Sequence, residues 1–99
     1  DEKAAEKNFN PESAELLEGL IGKLEPLDEL TLENTEAAVT AVADEKGVKK
    51  AKVIHPTRLA VSGVPAGPGL YDLLALLGRT QVIERLRRAV DYIRSKQEV

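Results

Sequence analysis

The chain has 99 residues, enough for one domain with a single modest core, and its 42% hydrophobic and 31% charged content excludes a disordered protein. It has no cysteine, which excludes a disulfide framework and a thiolate metal site. The net charge of −3 is unevenly divided: residues 1–46 hold 13 acidic and 4 basic residues, whereas residues 47–99 hold 4 acidic and 10 basic ones. A polyanion would therefore be attracted to the C-terminal half.

The chain shows no targeting or membrane signal. No apolar run approaches the roughly 20 residues of a membrane span, and the charged N-terminus DEKAAEKNF is unlike a signal peptide. We therefore expect a cytoplasmic protein that has no membrane partner. Residues 1–9 are interpreted as a flexible charged lead-in, and residues 10–99 as one helical domain.

The first two helices are predicted from the signals at their ends. Asn10 can cap a helix that has Pro11 at its first position, and leucines at helical spacing continue it until Pro26. Thr31 can cap a second helix that closes at Gly47. The apolar face of this second helix consists of alanine and valine, which predicts close approach to a neighbouring helix.

The segment VKKAKVIHPTRLAVSG, residues 48–63, is ambiguous on local signals. Residues 53–54 and 59–61 permit strands, and Pro56 disfavours a long uninterrupted helix. The chain that follows is again helical in pattern. Leucines over residues 70–77 predict a short apolar helix closed by Gly78, and Thr80 can cap a final helix. The outer face of that helix has two pairs with i,i+4 spacing, Glu84–Arg88 and Arg87–Asp91. The predicted fold class is all-α, a compact bundle of about five short helices.

No catalytic or metal-binding motif is complete. Residues 67–69 begin a GxG pattern, but Asp72 stands at the third glycine position and no strand–helix–strand unit surrounds it. His55 is the only histidine, and without cysteines it has no partners of the usual ligand types. We interpret it as an ordinary surface or helix-boundary residue, and we predict no catalytic residue and no metal site. Three aromatic rings are too few for a base-stacking platform, so nucleic acid would have to be read by backbone groups, arginines and a shaped loop.

The C-terminal half resembles a known family. Residues 55–93, HPTRLAVSGVPAGPGLYDLLALLGRTQVIERLRRAVDYI, resemble the C-terminal end of bacterial-type glutamyl-tRNA synthetases, which are class I aminoacyl-tRNA synthetases. That family carries a pattern like P-L-R-x-A-L-T-G, a short turn, P-G-L-[FY]-[ED]-[IL]-L-x-L-L-G-[KR], and a helix rich in L-x-R-L-x-R-A. The departures are mild: Thr57, Val61 and Ser62 stand where the family usually has Leu, Leu and Thr.

The resemblance implies that the chain is a fragment. It corresponds to the distal helical subdomain of the anticodon-binding body in a glutamate–tRNA ligase, which attaches glutamate to its tRNA using ATP. The Rossmann-type catalytic domain, with its ATP and Mg²⁺, and the first helical subdomain would lie outside it, so no cofactor is expected in the fragment. The implied partners are glutamate tRNA, through its anticodon loop, and the rest of the parent synthetase, and not DNA. The resemblance also implies that residues 48–63 are helical despite Pro56.

Site residues follow from the same resemblance. Arg58 matches an arginine that contacts anticodon bases in the family. A turn of the family lies against the first two anticodon bases, and it matches Gly67, Pro68, Gly69 and Leu70. Glycines let a base approach the backbone closely, Leu70 can offer an apolar face, and an arginine can stack on a base or fork to its acceptors. The family often has a hydroxyl side chain where Gly67 stands, so one hydrogen bond is expected to be missing. From their charge, and not from the resemblance, Lys49, Lys50, Lys52 and Arg79 are interpreted as part of a solvated face, some of which touches phosphates.

Each assignment has a structural alternative. Arg58 could pair with an acidic residue of a neighbouring helix, Gly69 could serve only as a turn or N-cap residue, and Leu70 could be the first core residue of its helix. For the chain as a whole, the alternative to a tRNA-binding module is a freestanding helical adaptor with the same fold that binds protein or tRNA.

Overall fold

The computed structural model describes residues 8–64, 67 and 69–97, and these residues form an all-α bundle. Its helices are α1 (Pro11–Leu24), α2 (Leu32–Lys46), α3 (Lys50–Ser62), α4 (Leu70–Leu77) and α5 (Arg79–Gln97). The predicted fold class of about five short helices is confirmed. None of the helices in the described part of the chain is long and apolar enough to cross a membrane.

The predicted lead-in is described only at its end, since residues 1–7 lie outside the described residues. The carbonyl of Asn8 accepts a hydrogen bond from Ser13 Oγ at 2.5 Å. The ring of Phe9 lies 6.1 Å from that of Tyr92, centroid to centroid, and packs against the core. These two residues therefore contact the helical domain directly.

Both N-caps predicted for α1 and α2 are confirmed. Asn10 Oδ1 accepts from the Ser13 N–H at 2.9 Å, and Pro11 follows at the first helical position. Thr31 and Asn34 cap α2 reciprocally, because each side-chain oxygen accepts from the other residue's backbone N–H. These bonds satisfy donors that have no partner within the helix.

Residues 50–62 form a continuous helix, so the strands that local signals permitted are wrong and the helix implied by the family resemblance is confirmed. Pro56 lies inside α3 and is buried, although it cannot donate to the carbonyl one turn earlier. The inward face of the helix compensates for that loss by burying five side chains, Val53, Pro56, Thr57, Leu59 and Val61. Tertiary packing overrides the local propensity here.

One glycine joins the last two helices. The Gly78 N–H donates to the Leu74 carbonyl at 3.0 Å, and the Gly78 carbonyl accepts from the Val82 N–H at 3.0 Å. Its φ of 87° lies in the left-handed region, which lets the chain leave α4 and enter α5 without a connecting loop. The expected cap at Thr80 is therefore wrong, because α5 already begins at Arg79.

The core lies between α1, α2, α3 and α5, with α4 packed onto α2, α3 and α5. Its largest fully buried side chains come from every helix: Leu16, Leu17, Leu20, Leu24, Val39, Val42, Val53, Val61, Leu74, Val82 and Leu86. Two ion pairs join α5 to α1 at the surface, Arg94 with Glu18 and Arg87 with Glu25. Arg87 thus contacts α1 rather than the predicted partner Asp91 on its own helix, whereas the Glu84–Arg88 pair forms as predicted.

Candidate nucleic-acid interface

The segment that leaves α3 is fastened to the last turn of that helix. We call the described residues that follow, 62–64, 67 and 69, the elbow. The Gly63 N–H donates to the Leu59 carbonyl at 2.8 Å, with Gly63 in the left-handed region at φ 78°. Ser62 Oγ accepts from the Val64 N–H at 3.3 Å and lies 2.6 Å from the Arg58 carbonyl oxygen, to which it donates. These bonds fix the direction in which the elbow starts.

The elbow brings two predicted site residues together. Gly67 has a φ of 155°, which side-chain-bearing residues rarely adopt. A Cβ built on Gly67 would lie 3.9 Å from Nη1 of Arg58, so the half-buried guanidinium lies beside this glycine. The result is a guanidinium next to exposed backbone.

Gly69 has a different role, because its φ of −51° is available to any residue. It is the N-cap of α4, and a Cβ there would lie only 2.9 Å from Asp72 Oδ2. The carboxylate of Asp72 therefore lies beside Gly69, two residues after the glycine that the Arg58 guanidinium adjoins. A group with both hydrogen-bond donors and acceptors, such as a base edge, fits this pair of charges better than a phosphate does.

The two other residues that the resemblance named, Pro68 and Leu70, do not add to the described surface. Leu70 is 4% exposed and belongs to the core, because α4 begins there and turns the side chain inward. Its side chain therefore offers no apolar face to a base. Pro68 lies outside the described residues. An apolar residue that we did not predict, Val64, is 48% exposed at the start of the elbow; its position between Gly63 and a proline was the available signal.

The predicted phosphate contacts do not gather at the elbow. Lys49, Lys50 and Lys52 lie at the N-terminal end of α3, and a helical rise of about 1.5 Å per residue places that end about 18 Å from Ser62. Lys52 Nζ lies 3.8 Å from Glu12 Oε1. These lysines are exposed, and they form a surface separate from the elbow.

Arg79 has a structural role instead of the predicted phosphate contact. Its Nε and Nη2 donate to the Glu25 carbonyl at 3.1 and 2.6 Å. That carbonyl lies just beyond the last residue of α1, where helices leave carbonyls without partners. Arg79 therefore closes the end of α1 from the start of α5.

A second arginine of α5, Arg85, supports the elbow from behind. Its Nη1 donates to the Val61 carbonyl in the last turn of α3 at 2.5 Å, and its Nη2 donates to Gln81 Oε1 at 3.2 Å. From the sequence, Arg85 is one of the basic residues of the C-terminal half and is expected on a solvated face. The spacing of residues along one helix carries no information about a carbonyl on another, so the contact emerges only in the fold.

Tyr71 lies beside the elbow on α4 and is half-buried. Burial raises the pKa of its phenol above the ordinary value of 10.0, and the negative charge of Glu36 on α2 raises it further. The hydroxyl therefore stays protonated at neutral pH. Elsewhere, His55 is exposed, as predicted for an ordinary surface histidine, and the described residues contain no group of three His, Cys, Asp or Glu that could hold a metal ion.

Comparison with known proteins identifies the family to which this chain is similar. The family described as "Anticodon binding domain" matches residues 1–90. The chain is 43% identical over 93 residues to the glutamate–tRNA ligase of Chlorobium chlorochromatii, a match covering 94% of this chain and 18% of that protein. It is 41% identical over 95 residues to the glutamate–tRNA ligase of Moorella thermoacetica, covering 95% and 19%.

Solved structures agree with the sequence matches. The fold superposes on a glutamate tRNA ligase from Elizabethkingia meningosepticum, crystallised in complex with its amino acid, with a TM-score of 0.87 and 32% identity. That match covers 94% of this chain and 18% of the other. The chain thus spans about a fifth of the length of the relatives it matches. By sequence and by fold, it belongs to the anticodon binding domain family.

Proposed function

We propose that this chain binds the anticodon loop of glutamate tRNA, as part of a glutamate–tRNA ligase that attaches glutamate to its tRNA with ATP in the cytoplasm. The observation that carries the proposal is the elbow, where the Arg58 guanidinium lies beside the exposed backbone of Gly67, in a member of the anticodon binding domain family. The names of the relatives support glutamate tRNA as the partner. No observation favours a freestanding adaptor.

The chemistry of the elbow suits an unstacked base. A glycine has no side chain between its backbone and an approaching base, so its N–H and C=O groups can bond to a Watson–Crick edge. The Arg58 guanidinium can stack on the base or donate to its acceptors. The Asp72 carboxylate beside Gly69 can accept from an exocyclic amine and repels phosphate. The elbow therefore contributes recognition of bases more than attraction to the RNA backbone.

The chain contributes recognition and not chemistry in this proposal. We assign it no catalytic residue, and ATP and Mg²⁺ would be used by the catalytic domain of the parent enzyme. The rest of that enzyme is then the second partner of this domain, because charging requires that the acceptor end of the bound tRNA reach the catalytic site.

Fluorescence anisotropy with labelled RNA stem-loops tests the proposal. One stem-loop carries the glutamate anticodon, and the other has its first two anticodon bases replaced. We expect the first to bind at least about thirtyfold more tightly, since each of the two replaced bases contributes about 1–3 kcal/mol of discrimination. Affinity for both should fall as salt rises, because phosphate contacts release counterions. Equal affinity for the two loops across the salt range would overturn the proposal.

A further inference from the structure

We propose that Arg85 is a positioning residue for anticodon recognition, which holds the last turn of α3 in place and thereby orients Arg58 and the elbow. This inference rests on the proposed function. Arg85 itself lies on α5 and is half-buried behind the elbow. It acts through the carbonyl of Val61 and not through the RNA.

The contact is made where α3 needs it. The last four carbonyls of a helix have no acceptor role within the helix, and a positive charge near them is favourable to the helix dipole. Val61 is the penultimate residue of α3, and its carbonyl accepts from Arg85 Nη1 at 2.5 Å. The second bond, from Nη2 to Gln81 Oε1 one turn earlier on α5, fixes the orientation of the guanidinium. Charge-assisted bonds of this kind are the stronger ones in proteins.

The same turn holds the residues that face the RNA. Arg58 lies one turn before Ser62, whose hydroxyl contacts both the Arg58 carbonyl and the Val64 N–H. The Val61 side chain is 1% exposed, so the turn is anchored from the core side by packing and from the α5 side by Arg85. Without Arg85, the last turn keeps its packing but loses the bond that fixes its carbonyl. Arg58 and the elbow would then move relative to each other.

Arg88 provides a matched control. It lies almost one turn after Arg85 on the same helix, and its guanidinium pairs with Glu84 at the exposed surface. Replacing either arginine with alanine removes one positive charge from α5, but only the change at residue 85 removes a bond to α3. A difference between the two variants therefore reports on the bond and not on the net charge.

The experiment measures the RNA-free elbow and its discrimination separately. In ¹H–¹⁵N spectra of the chain alone, we expect Arg85→Ala to shift the amide signals of Gly63 and Gly67, and Arg88→Ala to leave them in place. With the two stem-loops described above, Arg85→Ala should reduce the affinity ratio by about tenfold, since misplacing a bidentate side chain forfeits most of what it discriminates. The slope of log K against log salt should stay that of the wild type.

Three results would overturn the inference. The first is that the amide signals of Gly63 and Gly67 do not shift in Arg85→Ala. The second is that the ratio of affinities for the two stem-loops stays unchanged. The third is an equal loss of affinity for both loops with a shallower salt slope, which would make Arg85 a direct phosphate contact. If Arg85→Ala does not fold, Arg85→Lys replaces it. Lysine keeps the charge but lacks the planar fork that bonds Val61 and Gln81 in fixed directions, so intermediate shifts and an intermediate ratio are expected. Wild-type values of both would refute the role. A wild type that does not discriminate between the loops would refute the proposed function instead, and the amide shifts would still decide whether Arg85 holds the elbow.

Discussion

The guanidinium of Arg79, at the first position of α5, donates two hydrogen bonds to the backbone carbonyl of Glu25, at the end of α1. Two helices far apart in sequence are thus joined at their ends. We expect Arg79→Ala to lower the free energy of unfolding by about 1–2 kcal/mol, because a carbonyl loses a charged donor. For a domain of this size that lowers Tm by roughly 4–12 °C. Arg88→Ala, which removes only an exposed i,i+4 pair, should cost at most about 0.5 kcal/mol.

Measurements of stem-loop affinity should distinguish the structural role of Arg79 from the base contact proposed for Arg58. Arg79→Ala should leave the affinity for both stem-loops unchanged once the protein is folded. Arg58→Ala should weaken binding of the cognate stem-loop by about 1–3 kcal/mol while the helical circular dichroism spectrum stays the same. Arg58→Lys keeps the charge but not the planar fork, and we expect it to recover the salt-dependent part of binding and not the discrimination. An Arg58→Ala chain that unfolds would assign this residue to the fold.

Two of the elbow glycines, Gly67 and Gly69, should respond differently to a methyl group. At Gly67 a Cβ is strained by the φ of 155° and approaches Arg58, so Gly67→Ala should weaken cognate binding by about tenfold through a strain of about 1–3 kcal/mol. At Gly69 the backbone is unstrained, and only the flexible Asp72 carboxylate has to move. Gly69→Ala should therefore bind within about threefold of the wild type. Equal effects of the two substitutions, measured by anisotropy, would contradict the elbow geometry.

A second pair of glycines tests, without RNA, how the backbone φ decides the effect of a methyl group on stability. Gly22 lies in α1 and Gly47 ends α2, and a Cβ at either would have no atom within 4 Å. Only Gly47 has a left-handed φ, at 66°. Gly22→Ala should raise the stability by about 0.5–1 kcal/mol, because alanine loses less backbone entropy in a helix. Gly47→Ala should lower it by about 1–2 kcal/mol. Thermal unfolding of the two variants checks both signs.

Tyr71 gives the domain a pH dependence in the alkaline range. Its pKa is raised in the folded state, first by burial and then by Glu36, so the folded protein holds the phenolic proton more tightly than the unfolded chain does. The stability associated with this group is fully present below pH 10 and is lost as the pH rises through the folded pKa. Urea unfolding between pH 8 and 11 should show a steeper fall for the wild type than for Tyr71→Phe, with Glu36→Gln in between. Parallel curves for the wild type and Tyr71→Phe would contradict this assignment.

Sequence signals were sufficient at three helix ends. The caps at Asn10, Thr31 and Gly47 depend on neighbouring residues only, and all three form as predicted. The helix over residues 50–62 could not be derived locally, because Pro56 argues against it and the packing that favours it comes from other helices. Thr80 was a good cap in isolation, but Gly78 had already supplied the carbonyl that begins α5.

The candidate site was predictable only in part, for a similar reason. The resemblance named Arg58 and Gly67, and the fold places them side by side. It also named Leu70, which the fold places in the core. Charge alone suggested a phosphate contact for Arg79, which donates to the end of α1. A basic or apolar residue can serve RNA or the protein, and which one it serves depends on partners that are remote in sequence. Arg85 was not predicted as a site residue, because no pattern in the sequence indicates its contact with Val61.

The ion pairs between α1 and α5 change what the uneven charge of the chain means. Glu18 and Glu25 of the acidic half neutralise Arg94 and Arg87 of the basic half across the helix boundary. In the linear sequence, the positive charge of the C-terminal half was expected to attract any polyanion. In the folded domain, the protein's own carboxylates neutralise part of that charge. Under the proposed function, we therefore expect the ion-paired surface between the two helices to attract RNA of any sequence only weakly, so that the residence time of a tRNA depends on the contacts at the elbow.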